Sequence, residues 1–181
     1  YKEIESTAIY VAFKIKDSSI DALKDVLIPI WTTTPWTIPG NRAIAYGDNI
    51  NYLIIQIEEC NCEDGSFNNQ KLLIAKERLN SFIEVLKITK YKLIDEFLGK
   101  NINETFCHHP LYESGYDFDV PMLSGDFVST DQGTGFVHVA PGHGEDDFEL
   151  GRKYNITVPN TVEDGGTYSE TVPLFSGTHV F

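Results

Sequence analysis

Apolar and polar positions alternate along residues 7–15, and the apolar ones are β-branched or aromatic, the pattern of a strand. Residues 26–33 run apolar and then hydroxylated, which predicts a buried strand entering a Thr/Pro turn. Further strands are expected over 42–46, 52–58, 71–75 and 136–140. Pro35 and Pro39-Gly40-Asn41 make 36–41 a loop. The polar stretch 59–70 carries Asp64-Gly65, a hairpin-turn signal. Leu79, Phe82, Ile83 and Leu86 fall at i, i+3, i+4 and i+7, so 76–86 reads as an amphipathic helix. A short helix is expected over 18–24, opened by Asp17 or Ser18. A longer one is expected over 145–154, with Phe148 and Leu150 as its apolar contacts. Pro121 and Gly125 make 120–130 a bent or edge strand. The pattern over 91–98 is ambiguous, and Gly99 ends it. Short strands are expected after 154, parted by Asp164-Gly165-Gly166.

Strands outnumber helices and do not alternate with them regularly. That disfavours a doubly wound parallel sheet and predicts one β-rich α+β domain over residues 1–181. The 181 residues are 41% hydrophobic, with 11 Phe and 9 Tyr, enough to bury a core. No apolar run approaches the ~18 residues that cross a bilayer, so no membrane partner is expected. Tyr1-Lys2-Glu3-Ile4-Glu5 lacks the basic flank and apolar stretch of a secretory signal. The first residue is Tyr1, which points to a piece of a longer protein. Cys60, Cys62 and Cys107 are an odd number of cysteines; they argue against a disulfide framework and for a reducing cytoplasm. Cys60-Asn61-Cys62 is tighter than the usual zinc-ligand spacing. Two thiols on a polar hairpin tip, and a loop from Cys107-His108-His109 to Pro110, are expected instead of a zinc site.

Charge adds a constraint on partners. The formal net charge is −13, and so acidic a surface repels a phosphate backbone over most of its area. Residues 71–100 run against this trend, with seven Lys or Arg and four Asp or Glu. The strip reads as a solvated helix face, or as a local surface for RNA phosphates or a partner domain.

Two segments carry candidate chemistry. In Trp31-Thr32-Thr33-Thr34-Pro35-Trp36-Thr37, four threonines surround a proline at the end of an apolar strand. Their hydroxyls both donate and accept, so this corner can hold a polar ligand group or a water, or be simply a Thr-rich edge. In Gly133-Thr134-Gly135-Phe136-Val137-His138-Val139-Ala140-Pro141-Gly142-His143-Gly144-Glu145-Asp146-Asp147, glycines bracket a short strand and a helix start. Carboxylates are favoured in that first helical turn. His138 and His143 with Asp146 or Asp147 could serve as metal ligands, though their spacing matches no standard hydrolase motif. Gly-Thr-Gly alone lacks the lysine of a P-loop.

Together, Thr32-Thr33-Thr34-Pro35-Trp36-Thr37 with Pro39-Gly40-Asn41, and Gly133-Thr134-Gly135 through Asp146-Asp147, closely resemble the editing domain of isoleucyl-tRNA synthetase. Valyl and leucyl editing domains typically carry Arg-Pro, an acidic residue and Thr after the paired threonines, where this chain has Thr34-Pro35-Trp36-Thr37. The resemblance extends to Asp164-Gly165-Gly166-Thr167-Tyr168 and Phe175-Ser176-Gly177 and is loose over 59–120. It implies a barrel-like α+β domain, the connective-peptide insertion of a larger synthetase, working in the cytoplasm without a cofactor or metal. The synthetase's ATP-site signatures, His-Ile-Gly-His and Lys-Met-Ser-Lys-Ser, are absent, so the chain itself is not expected to activate amino acids.

The resemblance also implies a task. One methylene is worth ~1–3 kcal/mol in an apolar pocket, and isoleucyl-tRNA synthetase is itself the established instance of this limit. A second site must therefore hydrolyse valine from tRNA(Ile), or clear valyl-adenylate before transfer, while refusing isoleucine. The implied partners are the 3′-terminal valyl-adenosine of tRNA(Ile) and the remainder of the parent synthetase. Asp147 is the implied ammonium-binding carboxylate, ionised at pH 7 without tuning. Thr32, Thr33 and Thr34 line the ester and adenosine side, Thr33 and Thr34 assisting catalysis with Asp147. Thr37 and His138 bound the side-chain pocket, His138 as the wall that excludes isoleucine. Trp36 packs, Asp146 is a surface carboxylate and His143 a loop residue. Positioned water attacks the ester, since no Cys or Ser is paired with a His. A metal-dependent hydrolase built on His138, His143 and Asp147, and a non-catalytic RNA- or partner-binding module, are the alternatives.

Overall fold

A computed structural model of the chain describes residues 8–62 and 67–181. The Asp64-Gly65 turn and the Tyr1–Glu5 segment lie outside the described residues. Nine strands form one sheet: β1 (Ile9–Asp17), β2 (Val26–Thr32), β3 (Ala43–Tyr46), β4 (Asn51–Cys60), β5 (Lys71–Ala75), β6 (Ile88–Leu98), β7 (Phe106–His108), β8 (Asp119–Ser124) and β9 (Phe136–Val139). Their order is β6-β4-β5-β2-β1-β7-β8-β3-β9. The α-helices are α1 (Leu79–Val85) and α2 (Glu145–Lys153). The β-rich α+β class expected from the sequence is thus present, but β6 and β9 end the order and the sheet is not closed into a barrel. The segment before β9 still reaches across to β5, where Ala75 N–H donates to Thr134 O at 3.0 Å.

Burial explains the patterns. In β4, Tyr52 and Ile54 join the main core with Phe13, Ile28, Ile30 and Leu73, while Leu53, Ile55 and Ile57 pack with Phe82 of α1. Both faces are covered, so residues 52–55 read as an unbroken apolar run. In β3, Ile44 and Tyr46 enter the main core, and the small Ala43 and Ala45 face Leu150 of α2. These alanines let α2 seat closely beside β9. Among the described residues no helix is long and apolar enough to cross a membrane.

Several elements differ from expectation. The 76–86 helix begins as a 3-10 turn, Lys76–Arg78, before α1, and the expected 18–24 helix is a 3-10 turn at Asp21–Leu23. The ambiguous 91–98 segment belongs to β6, an edge strand exposed along most of its length. β7 forms where a loop was expected. Phe148 lies exposed, and Leu150 with Gly151 makes the buried side of α2. After α2 there are only the isolated bridges Val162–Tyr168 and Thr167–His179. Cys60 and Cys62, expected as thiols, are joined by a disulfide. Cys107 is free and buried, which pushes its thiol pKa up.

Candidate active site

Thr32 ends β2, and Thr33 and Thr34 carry the chain out of the sheet. Thr34 N–H donates to Thr32 Oγ1 at 3.0 Å, closing a tight side-chain-to-backbone turn. Pro35, with φ fixed and no N–H to place, then opens a 3-10 helix, Pro35–Gly40. Within it Thr37 N–H and the Thr37 hydroxyl both donate to Thr34 O, at 3.0 and 2.9 Å. The threonine corner is thereby a rigid, self-bonded unit.

His138 arrives from the opposite side on β9, in register with Ile44. Asn41 Nδ2 lies 2.9 Å from Ala43 O and 2.7 Å from His138 Nδ1. A carbonyl can only accept, so that amide nitrogen is oriented, and its second hydrogen goes to Nδ1. His138 therefore carries its proton on Nε2 and donates to Thr37 Oγ1 at 2.9 Å, whose own hydrogen is on Thr34 O. Burial, with His109 and His143 nearby, pushes the His138 pKa down to about 4. The ring is neutral at pH 7 and has no free nitrogen.

Asp147 is the third residue of α2, where the helix N-terminus favours an anion. Oδ2 accepts from Ala140 N–H at 2.9 Å; Oδ1 has no protein partner among the described residues. A Cβ on Gly144 would stand 3.2 Å from both Asp147 Cγ and Oδ2, so the glycine leaves room for the carboxylate to fold back. Burial raises the Asp147 pKa, Ala140 N–H opposes, and Asp146 adds to the rise. The sequence had assigned this group no tuning.

A cavity of about 250 Å³ is lined by all six predicted residues, Thr32, Thr33, Thr34, Thr37, His138 and Asp147, together with Trp31, Val137, Ala140 and His143. A wider groove of about 460 Å³ along α2 gathers exposed Asp146, Glu149, Arg152 and Lys153, without a converging polar set. Trp36 packs edge-on against His143 at 5.1 Å. Asn41 and Trp31 are cavity residues the sequence reading did not assign, and His143, read there as a loop residue or alternatively a metal ligand, also lines the cavity. Asn41 and His143 lie inside the recognised motifs, but only the tertiary contacts of their side chains reveal their use. Gly133-Thr134-Gly135 is structural: both glycines have positive φ, and a Cβ on Gly135 would overlap Ala75. Among the described residues no three His, Cys, Asp or Glu groups stand close enough to share a metal ion.

The family described as "Leucyl-tRNA synthetase, editing domain" matches residues 5–175. An isoleucine–tRNA ligase of Pelagibacter ubique is 47% identical over 181 residues, all of this chain and 20% of that protein. One of Gluconobacter oxydans is 48% identical over 183 residues, all of this chain and 19% of that protein. The chain thus spans about a fifth of the length of these relatives. The crystal structure of the P. falciparum cytosolic leucyl-tRNA synthetase editing domain matches with a TM-score of 0.60 at 9% identity, covering 82% of this chain and 67% of that one. The P. knowlesi counterpart gives 0.60 at 10% identity, covering 82% and 62%. At such identities the likeness is one of fold. With the threonine corner, the Asp147 helix start and the family match over nearly its whole length, the chain belongs to the editing-domain family of the leucyl- and isoleucyl-type tRNA synthetases.

Proposed function

We propose that the cavity is a proofreading site that hydrolyses valine from tRNA(Ile) and refuses isoleucine. The observation that carries the proposal is the pairing of one half-free carboxylate, Asp147, with an imidazole wall whose two nitrogens are both engaged. The open oxygen of Asp147 takes the α-ammonium in a charge-assisted hydrogen bond. Thr32, Thr33 and Thr34 orient the ester and the terminal ribose. Thr37 and His138 bound the side chain. His138 cannot swing aside without breaking its bonds to Asn41 and Thr37, so an extra methylene meets a fixed obstacle.

Water is the attacking group. Thr37 and His138 are spaced like a nucleophile and its base, but the hydrogen runs the wrong way: Nε2–H donates to the hydroxyl, which already donates to Thr34 O. The hydroxyl is therefore not activated. Water oxygen bonds to the ester carbon, the bond to the ribose oxygen breaks, and the water's proton ends on that oxygen. Orientation and fixed dipoles supply the rate. Valyl-adenylate presents the same ammonium and side chain, so the same groups act on it if it reaches the cavity. The engaged nitrogens of His138 weigh against a metal-dependent hydrolase built on that ring.

The test is Asp147→Ala in this chain. Hydrolysis of Val-tRNA(Ile) is expected to fall by at least about 10²-fold, as for a lost positioning contact, with an unchanged circular dichroism spectrum. Hydrolysis at the wild-type rate removes Asp147 from the mechanism.

A further inference from the structure

His143 lines the same cavity as Asp147, four residues before it, and the mechanism so far gives it no task. Yet its ring is held from several directions. Nε2 lies 2.8 Å from Thr161 Oγ1. Trp36 meets the ring edge-on at 5.1 Å. Gly40 leaves the space the ring occupies, since a Cβ there would stand 3.1 Å from His143 Cδ2. Thr161 comes from the irregular chain after α2, which is tied down nearby by Tyr168 OH donating to Trp36 O at 2.7 Å. Nδ1 has no protein partner among the described residues and is not one of their buried, unpartnered polar atoms. It is solvent-accessible, on a ring that lines the cavity.

Thr161 decides which nitrogen carries the hydrogen. Its side chain is buried, 5% exposed, and His143 Nε2 is the one protein partner of its hydroxyl among the described residues. A buried hydroxyl that only accepts strands its own hydrogen, which is unfavourable. The hydroxyl therefore donates to Nε2, and Nδ1 bears the N–H. His138, a few residues away, holds the opposite tautomer because Asn41 donates to its Nδ1. Burial lowers the His143 pKa, so the ring stays neutral beside an incoming ammonium.

In an α-amino ester the ammonium and the carbonyl stand on neighbouring carbons. With the ammonium on Asp147, the carbonyl oxygen falls within the same small cavity, which the ring bearing that uncharged N–H also lines. We propose that His143 Nδ1–H is an oxyanion donor, and hence a catalytic residue, for this ester hydrolysis, kept in that tautomer by Thr161. When water attacks, the carbonyl π pair moves onto oxygen and is stabilised by Nδ1–H. Its return expels the ribose oxygen, which takes the water's proton. His143 keeps its own proton throughout. The proposal rests on the proofreading function for its substrate.

Two measurements test it. In a two-bond ¹H–¹⁵N correlation spectrum of the ¹⁵N-labelled chain near neutral pH, His143 is expected as the Nδ1–H tautomer and His138 as the Nε2–H tautomer. Nε2–H at His143 overturns the proposal whatever the activity. In kinetics, His143→Phe keeps a ring but removes the donor. Its kcat on Val-tRNA(Ile) is expected to fall on the order of 10²–10³-fold, as when one oxyanion donor is removed. Its affinity for a non-hydrolysable valyl-adenosine mimic should stay within about twofold, and His143→Asn, which restores an N–H near the same place, should recover part of the loss. A wild-type chain inert toward Val-tRNA(Ile) overturns the proofreading function and this proposal with it. An active wild type with an equally active His143→Phe overturns this proposal alone, as does parallel loss of kcat and mimic affinity in both variants.

Discussion

At His138 both ring nitrogens are committed before any ligand arrives, one to Asn41 and one to Thr37. In the proposed site the residue therefore acts by shape. Removing the ring in His138→Ala opens the wall and is expected to admit isoleucine. Ile-tRNA(Ile), which the proposed site refuses, should become a substrate, eroding a preference that one methylene sets at about 10–200-fold. Comparing deacylation of Ile- and Val-tRNA(Ile) by the variant checks this, and continued refusal of isoleucine excludes the steric role. In the proposed site Asp147 acts by charge, and burial raises its pKa. As pH falls through that raised value the carboxyl gains a proton and loses its grip on the ammonium, so the acid limb of the hydrolysis profile should centre above the ~3.9 of a free aspartate. The folded state holds this proton more tightly than the unfolded one. Ionised Asp147 thus subtracts stability above its folded pKa, and acid relieves that cost. Asp147→Asn should therefore abolish hydrolysis at pH 7 while leaving Tm equal to or above the wild type. A clear drop in Tm would show that the carboxylate serves the fold.

Close backbone approach at the start of α2 sets the carboxylate in place. Gly144 has φ −148, which any residue adopts, so Gly144→Ala should fold. Its methyl would meet the Asp147 carboxylate at about the 3.2 Å of the ideal Cβ position. Activity is expected to fall about 10²-fold with Tm shifted by only a few degrees, and an active variant would show that the carboxylate has room to spare. These features mark what was legible in the sequence. The threonine corner and the β9–α2 junction were readable because their Pro, Gly, His and Asp residues stand close together in the chain. The strands of the core were readable where both faces or one face are covered. β6 was not, because it is an edge strand exposed on most of its length and shows no period of two. β7 has only three residues. Phe148 was misjudged because apolar character alone does not say which side of a helix is buried. His143 was read only as a loop residue or a metal ligand, because its partner, Thr161, comes from a segment with no regular structure to announce its path.

Across the whole molecule the net charge is −13, and the one basic strip is partly spent internally. Lys76 pairs with Glu96 at 2.7 Å and Lys90 with Glu58 at 2.9 Å. Arg78 donates to Gly133 O at 3.0 Å, bracing the glycine turn before β9. Such exposed pairs stabilise little, but they lower the positive field available to a phosphate chain. On the proposed proofreading function, a surface of this kind gains affinity from the aminoacyl end of the substrate and little from the RNA body. The isolated chain should then hydrolyse a valylated oligonucleotide ending in CCA with kcat/KM within a few-fold of that for Val-tRNA(Ile). Each phosphate contact on a single strand contributes about 0.7 to the slope of log affinity against log salt, so that slope should stay below about 2. A preference for whole tRNA beyond about tenfold, or a steeper slope, would place a phosphate track on this domain. Lys87, Lys92 and Lys100, which make no ion pair among the described residues, would be the first side chains to substitute in tracing it.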